Sequence, residues 1–267
     1  MHATRHSNGR TGFTLIELLT VMAIISILVA ILMPALSGAR RESKATKCLT
    51  NVREISNATL MYARRHEDRF PVAGDCRSPG DCQFWNGHQY VGWNGTKAKP
   101  NGEFWNRPVN LDLGLEASPA NPKGGEIALC PSDTGVVGET GTNSPLFDVL
   151  GSSYIINPIL TQGKYGIWYY RDRDIGESDV LQVSRKVLVA DHVGFGMTFN
   201  ASWTGINPGW HDATRPSAVF GFVDGHGEYI KGKCRVREWQ WYPEASGPSF
   251  VDNLQDKVNW NVYQDCD

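Results

Sequence analysis

Net positive charge is the first thing this 267-residue chain lacks: 26 Lys and Arg against 28 Asp and Glu leave a formal charge of −2. Without a broad positive field nothing holds a phosphate backbone, which excludes nucleic acid as a partner. Catalytic signatures are missing too. There is no His-Glu-x-x-His helix, no Gly-x-Ser-x-Gly elbow and no Gly-Lys-Ser phosphate loop, so the chain reads as no enzyme. None of the six cysteines has a second one at the close spacing of zinc knuckles and ribbons, which argues against zinc. No internal repeat is visible, and no second long helical pattern follows the first. The composition, 41% hydrophobic and 20% charged, is that of an ordinary folded protein.

What is present is one long apolar block. Phe13 to Met33 is a 21-residue run with a single charge, Glu17; as a helix it spans ~31 Å, the thickness of a bilayer core. Residues 1 to 12 are polar and carry Arg5 and Arg10, which hold this end in the cytoplasm and place the rest of the chain outside. An ordinary secretory signal is the alternative, because small residues follow Pro34. Its cleavage would leave a chain starting near Leu36 or Ser37. The run is longer than such signals, and Glu17 is costly in a plain anchor, so it needs a partner.

Gly12-Phe13-Thr14-Leu15-Ile16-Glu17-Leu18-Leu19 resembles the processing site of type IV prepilins and type II secretion pseudopilins. The resemblance implies that a prepilin peptidase cuts after Gly12 and methylates the new amino terminus, Phe13, while the apolar helix is kept. It also implies that Glu17 pairs with Phe13 of a neighbouring subunit in a filament. Pro34 falls at the twenty-second mature position, where pilin helices commonly carry a proline, and a helix kink is expected there.

Past Pro34, Ala45, Cys48, Val52, Ile55, Thr59 and Tyr62 recur at three and four residues among charged positions, the stripe of an amphipathic helix. The pattern breaks at residues 66–71, so one helix of about 50 residues, ~75 Å, is expected. From Phe70 short extended runs alternate with Gly, Pro and Asn, which reads as a β-rich head. Val187–Ala190 is a buried strand, and Ser217–Val223, Asp224-Gly225 and Glu228–Ile230 read as a hairpin with a tight Asp-Gly turn. The expected organisation is a leader at 1–12, a membrane and assembly helix at 13–33, its amphipathic continuation at 34–69 and the head at 70–267. The fold class is α+β and pilin-like, a long N-terminal α-helix packed on a β-rich globular head. The locations implied are the bacterial cytoplasmic membrane, crossed once, and then a periplasmic or cell-surface filament.

Residues 47–55 through Tyr62-Ala63 and Phe70-Pro71, Leu129-Cys130-Pro131-Ser132-Asp133, Ser153-Tyr154 with Asn157, Val187–Asp191 and a His before Asp224-Gly225 resemble a pseudopilin-like branch common in planctomycetes and their relatives, described by an H-x9-DG signature. Here His211 and Asp224 are separated by twelve residues rather than nine.

With the head outside, the cysteines meet an oxidising compartment. Cys76 with Cys82, Cys234 with Cys266 and Cys48 with Cys130 are the candidate disulfides, although six cysteines leave the connectivity open. Two metal sites come into view. Asp172, Asp174, Glu177 and Asp179 offer carboxylates to calcium without the spacing of a calcium-binding helix-loop-helix. Asp191, His192, His211, Asp224 and His226 mix imidazole with carboxylate and suit another divalent metal. No cofactor is required by either. Finally, Trp85, Trp93, Trp105, Trp168, Trp203 and Trp210 lie in Gly- and Asn-rich loops. A membrane-anchored surface protein that stacks these indoles on a polysaccharide is the alternative to a filament subunit.

Overall fold

The computed structural model describes residues 14–72, 90–93, 95–96, 107–115, 125–135, 144–161, 165–166, 169–170, 174–180, 183–194, 210–212 and 217–231. Two compact units make up the chain, Met1–Glu42 and Ser43–Asp267. One helix, α1 (Leu15–Arg65, 51 residues), runs through both, with Pro34 inside it. In the first unit every described residue is exposed, the apolar ones included.

The second unit holds α2 (Leu146–Leu150), β1 (Tyr154–Ile156), α3 (Pro158–Thr161), β2 (Tyr165–Gly166), β3 (Tyr169–Tyr170), β4 (Val187–Asp191), β5 (Ser217–Phe222) and β6 (Gly227–Lys231). Strands β1, β4, β5 and β6 form one antiparallel sheet in the order β1-β4-β5-β6; β2 and β3 pair separately. All residues of β1, β4 and β5 are buried, so these strands are covered on both faces, and apart from Asp191 and Ser217 at their ends they are apolar runs instead of alternating ones. The architecture is α+β and pilin-like: the later turns of α1 pack on the four-stranded sheet.

Three glycines set how closely helix and sheet approach. A Cβ on Gly221 would strike Ser56 Oγ and come within 2.7 Å of Val52 Cγ1, and one on Gly227 within 2.7 Å of Arg53 Cγ. Gly225 lies against Asn57 Oδ1. Arg53 then reaches over the strand end and donates to the Gly227 carbonyl at 2.8 Å. A branched side chain in this seam must prise the layers apart, so Gly221→Val is expected to cost about 3 kcal/mol. Urea unfolding of the full chain in detergent measures it; an unchanged midpoint would show that the seam is loose.

Two details differ from the sequence reading. The buried face of α1 is wider than the stripe, adding Asn51, Ser56, Ala58, Leu60 and Ala63, while Tyr62 is only half-buried. The sheet covers one side of this face and the 125–133 segment another, where Asn51 Nδ2 donates to the Leu129 carbonyl at 2.9 Å. The hairpin loop is also longer than a two-residue Asp-Gly turn. The amide of Gly225 donates to Phe222 O and that of Phe222 to His226 O, both at 2.9 Å. Only Gly225 takes a positive φ, +87°, which is the three-residue loop with a left-handed glycine.

Candidate functional site

At the start of α1, Thr14 and Glu17 cap one another. The Glu17 carboxylate accepts the Thr14 amide at 2.9 Å and hydroxyl at 2.7 Å, and the Thr14 hydroxyl accepts the Glu17 amide at 3.3 Å. This reciprocal box fixes the first helical turn and holds the one charge of the apolar run at its edge. Beyond it Leu15, Ile16, Leu19, Ile27, Leu32 and Leu36 are among many large apolar side chains left exposed. By length and composition this helix can cross a membrane. Gly12 and Phe13 lie outside the described residues.

A second constellation is buried in the head. Asp191 ends β4 opposite Tyr154, and its carboxylate is fully occupied: Oδ1 accepts the Gly194 amide at 2.6 Å, Oδ2 the Val219 amide at 3.0 Å and His211 Nε2 at 2.8 Å. A carboxylate only accepts, so Nε2 carries the imidazole proton. The edge of the His211 ring meets Tyr229 at 5.6 Å between centroids. Cys130 Sγ is 3.8 Å from the same Nε2. Cys48, from α1, joins Cys130 at disulfide geometry with Cα atoms 5.1 Å apart.

Cys130 is held by a polar network that the sequence did not reveal. Its amide donates to Ser153 Oγ at 3.1 Å, and Ser153 donates to Asp133 Oδ2 at 2.7 Å. Asp133 also accepts the amides of Gly135, Leu146 and Phe147. Cys130-Pro131-Ser132-Asp133 is thus a clasp between the 125–135 segment and α2. Burial pushes the Asp133 carboxyl above its ordinary 3.8, partly opposed by those four donors. The folded state therefore holds this proton to higher pH than the unfolded one. Its contribution to stability is full below about pH 3.8 and declines as pH rises through the folded value. Asp133→Asn leaves at least two donors unpaired, a cost of about 2–4 kcal/mol. That cost is expected to be larger at about pH 4 than at about pH 7 in paired urea titrations; the opposite order would contradict the shift.

Arg107 is a second buried clasp without a sequence signal. Its guanidinium donates to the carbonyls of Val91 at 3.0 Å, Leu150 at 2.6 Å and Trp93, and burial lowers it to about 9.

Of the predicted metal residues, Asp191 meets His211, and Asp224 meets His226 in the exposed hairpin loop, where the His226 ring stacks on Phe222. The four are not gathered: among the described residues, the one set of three such ligands within 4.8 Å is Cys48, Cys130 and His211. His192 lies beside Trp210, ring centroids 6.3 Å apart. In the acidic loop Glu177 pairs with Arg64 at 3.2 Å and Asp179 accepts the Gly176 amide at 2.9 Å; Asp172 lies outside the described residues. Both described loop indoles bond inward, Trp93 to Phe147 O at 2.8 Å and Trp210 to Gly135 O at 3.2 Å. Trp85, Trp105, Trp168, Trp203, Cys76, Cys82, Cys234 and Cys266 lie outside the described residues.

Residues 7–33 match a family model described as the prokaryotic N-terminal methylation motif. No curated protein and no solved structure matches the chain.

Proposed function

We propose that this chain is a structural subunit of pilin or pseudopilin type, made as a precursor, cut between Gly12 and Phe13, methylated on Phe13 and anchored in the cytoplasmic membrane with its head outside. From there it enters a filament of type II secretion or type IV pilus type. The observation that carries this reading is a methylation motif running directly into a helix whose residues 15–42 are all exposed. That surface serves in turn two apolar surroundings, lipid and the helices of neighbouring copies. Glu17, at the edge of the run, is the natural partner of a free amino terminus on the next subunit. Chemistry has no part in this role, and the Cys48–Cys130 bond acts as a staple of the head.

The decisive experiment is the mass and N-terminus of the mature chain, expressed with and without a prepilin peptidase. A chain beginning at methylated Phe13, seen only with the peptidase, is the expected result. A chain beginning near Leu36 or Ser37 would instead be the product of an ordinary signal peptidase, and the assembly helix would have been discarded with the signal.

A further inference from the structure

We propose that Cys48, Cys130 and His211 form a three-residue zinc(II) site in the head whenever the Cys48–Cys130 bond is reduced. The two Sγ atoms and an imidazole nitrogen lie within 4.8 Å of one another, and the three residues are at most 1% exposed. Two thiolates and one imidazole are a donor set that a tetrahedral d10 cation selects over calcium or magnesium, with the fourth position left to a water.

The distances agree with that geometry. Bonds of ~2.3 Å to sulfur and ~2.0 Å to nitrogen at a tetrahedral angle place the two donors ~3.5 Å apart. Cys130 Sγ and His211 Nε2 already stand at 3.8 Å. Asp191 Oδ2, held by the Gly194 and Val219 amides, accepts from the same nitrogen at 2.8 Å and gives up that bond when the nitrogen takes a metal. The proton on Nε2 occupies the position the metal would take. Its alternative seat is ready: Nδ1 is buried and has no hydrogen-bond partner among the described residues.

The conversion balances in two steps. A dithiol or phosphine reductant breaks the S–S bond, is itself oxidised and leaves two thiols. One zinc(II) then forms two Zn–S bonds and a Zn–N bond, two protons leave from the thiols, and the imidazole proton moves from Nε2 to Nδ1. Oxidation and metal capture therefore compete for the same pair of sulfurs. Bound zinc would shield them from disulfide formation while still tying residue 48 to residue 130.

The test uses the full chain in detergent, reduced with a phosphine, freed of reductant without air, and titrated with cobalt(II) and then zinc(II). The expected result is one cobalt per chain with thiolate charge-transfer bands and a tetrahedral ligand-field spectrum, displaced by zinc. The oxidised chain should show neither. Cys48→Ser with Cys130→Ser should abolish the signal. His211→Gln leaves both cysteines and an amide able to bond Asp191; it should keep the fold by circular dichroism, alter the ligand field and weaken binding by at least ~10-fold. Octahedral cobalt without thiolate bands overturns the proposal. So does binding that survives loss of both cysteines, which would place the metal on the other four, and so does binding unchanged in His211→Gln.

Discussion

Glu17→Ala is expected to be cut, methylated and retained in the membrane like the wild type, and to yield no filament. A carboxylate set beside a neighbour's amino terminus among packed apolar helices leaves that charged terminus without a partner when it is removed. The loss weakens every subunit contact at once and is expected to end polymerisation. Alanine also removes half of the capping box with Thr14, so Glu17→Gln is the sharper variant: the amide oxygen keeps accepting from Thr14 while the charge is gone. Both variants should fail alike in sheared and pelleted fractions, with the mature chain accumulating in the membrane. Filaments at wild-type level from Glu17→Gln would remove the charge pair from the assembly mechanism. A chain whose task is to present a polysaccharide-binding head would keep its ligand in either variant, and the two roles separate on that measurement.

Cys48→Ser carries the second large effect. The bond to Cys130 closes a loop across a sequence separation of 82, and the chain-entropy relation assigns such a cross-link about 4.5 kcal/mol. That is a third or more of the stability of a typical domain. The urea midpoint under oxidising conditions, with a chelator present, should fall steeply. Adding Cys130→Ser to Cys48→Ser should cost little more, because one bond is lost only once. Two independent losses would mean that the sulfurs are not joined.

The parts of the fold that were legible in the sequence are those governed by local period. An unbroken apolar run with one acid, a stripe at three and four residues, and a continuous run such as Val187–Ala190 each state their own structure. The Asp-Gly turn was legible in place but not in length, because helix α1, packed against Gly221, Gly225 and Gly227, constrains the loop from a distant part of the chain. The head site was the least legible. No two cysteines stand close along the chain, yet Cys48, Cys130 and His211 converge from separate segments. Spacing motifs detect sites built on one turn and miss those assembled by tertiary packing. Asp133 and Arg107 were invisible for the same reason: their partners are backbone amides and carbonyls, which every sequence possesses.

The burial of Val52 and Ser56 against Gly221 of β5, in a sheet whose last strand ends at Lys231, sets an order of events during synthesis. The helix face leaves the ribosome first, yet its cover is complete only after more than 160 further residues have followed. Such non-local closure is slow, and uncovered apolar surface invites misassociation in the interval. Until β5 and β6 arrive, this helix face has no partner within its own chain from those strands. A nascent molecule thus depends on the timing of its last strands, and a truncation just before Ser217 is a more damaging lesion than its distance from the N-terminal motif suggests.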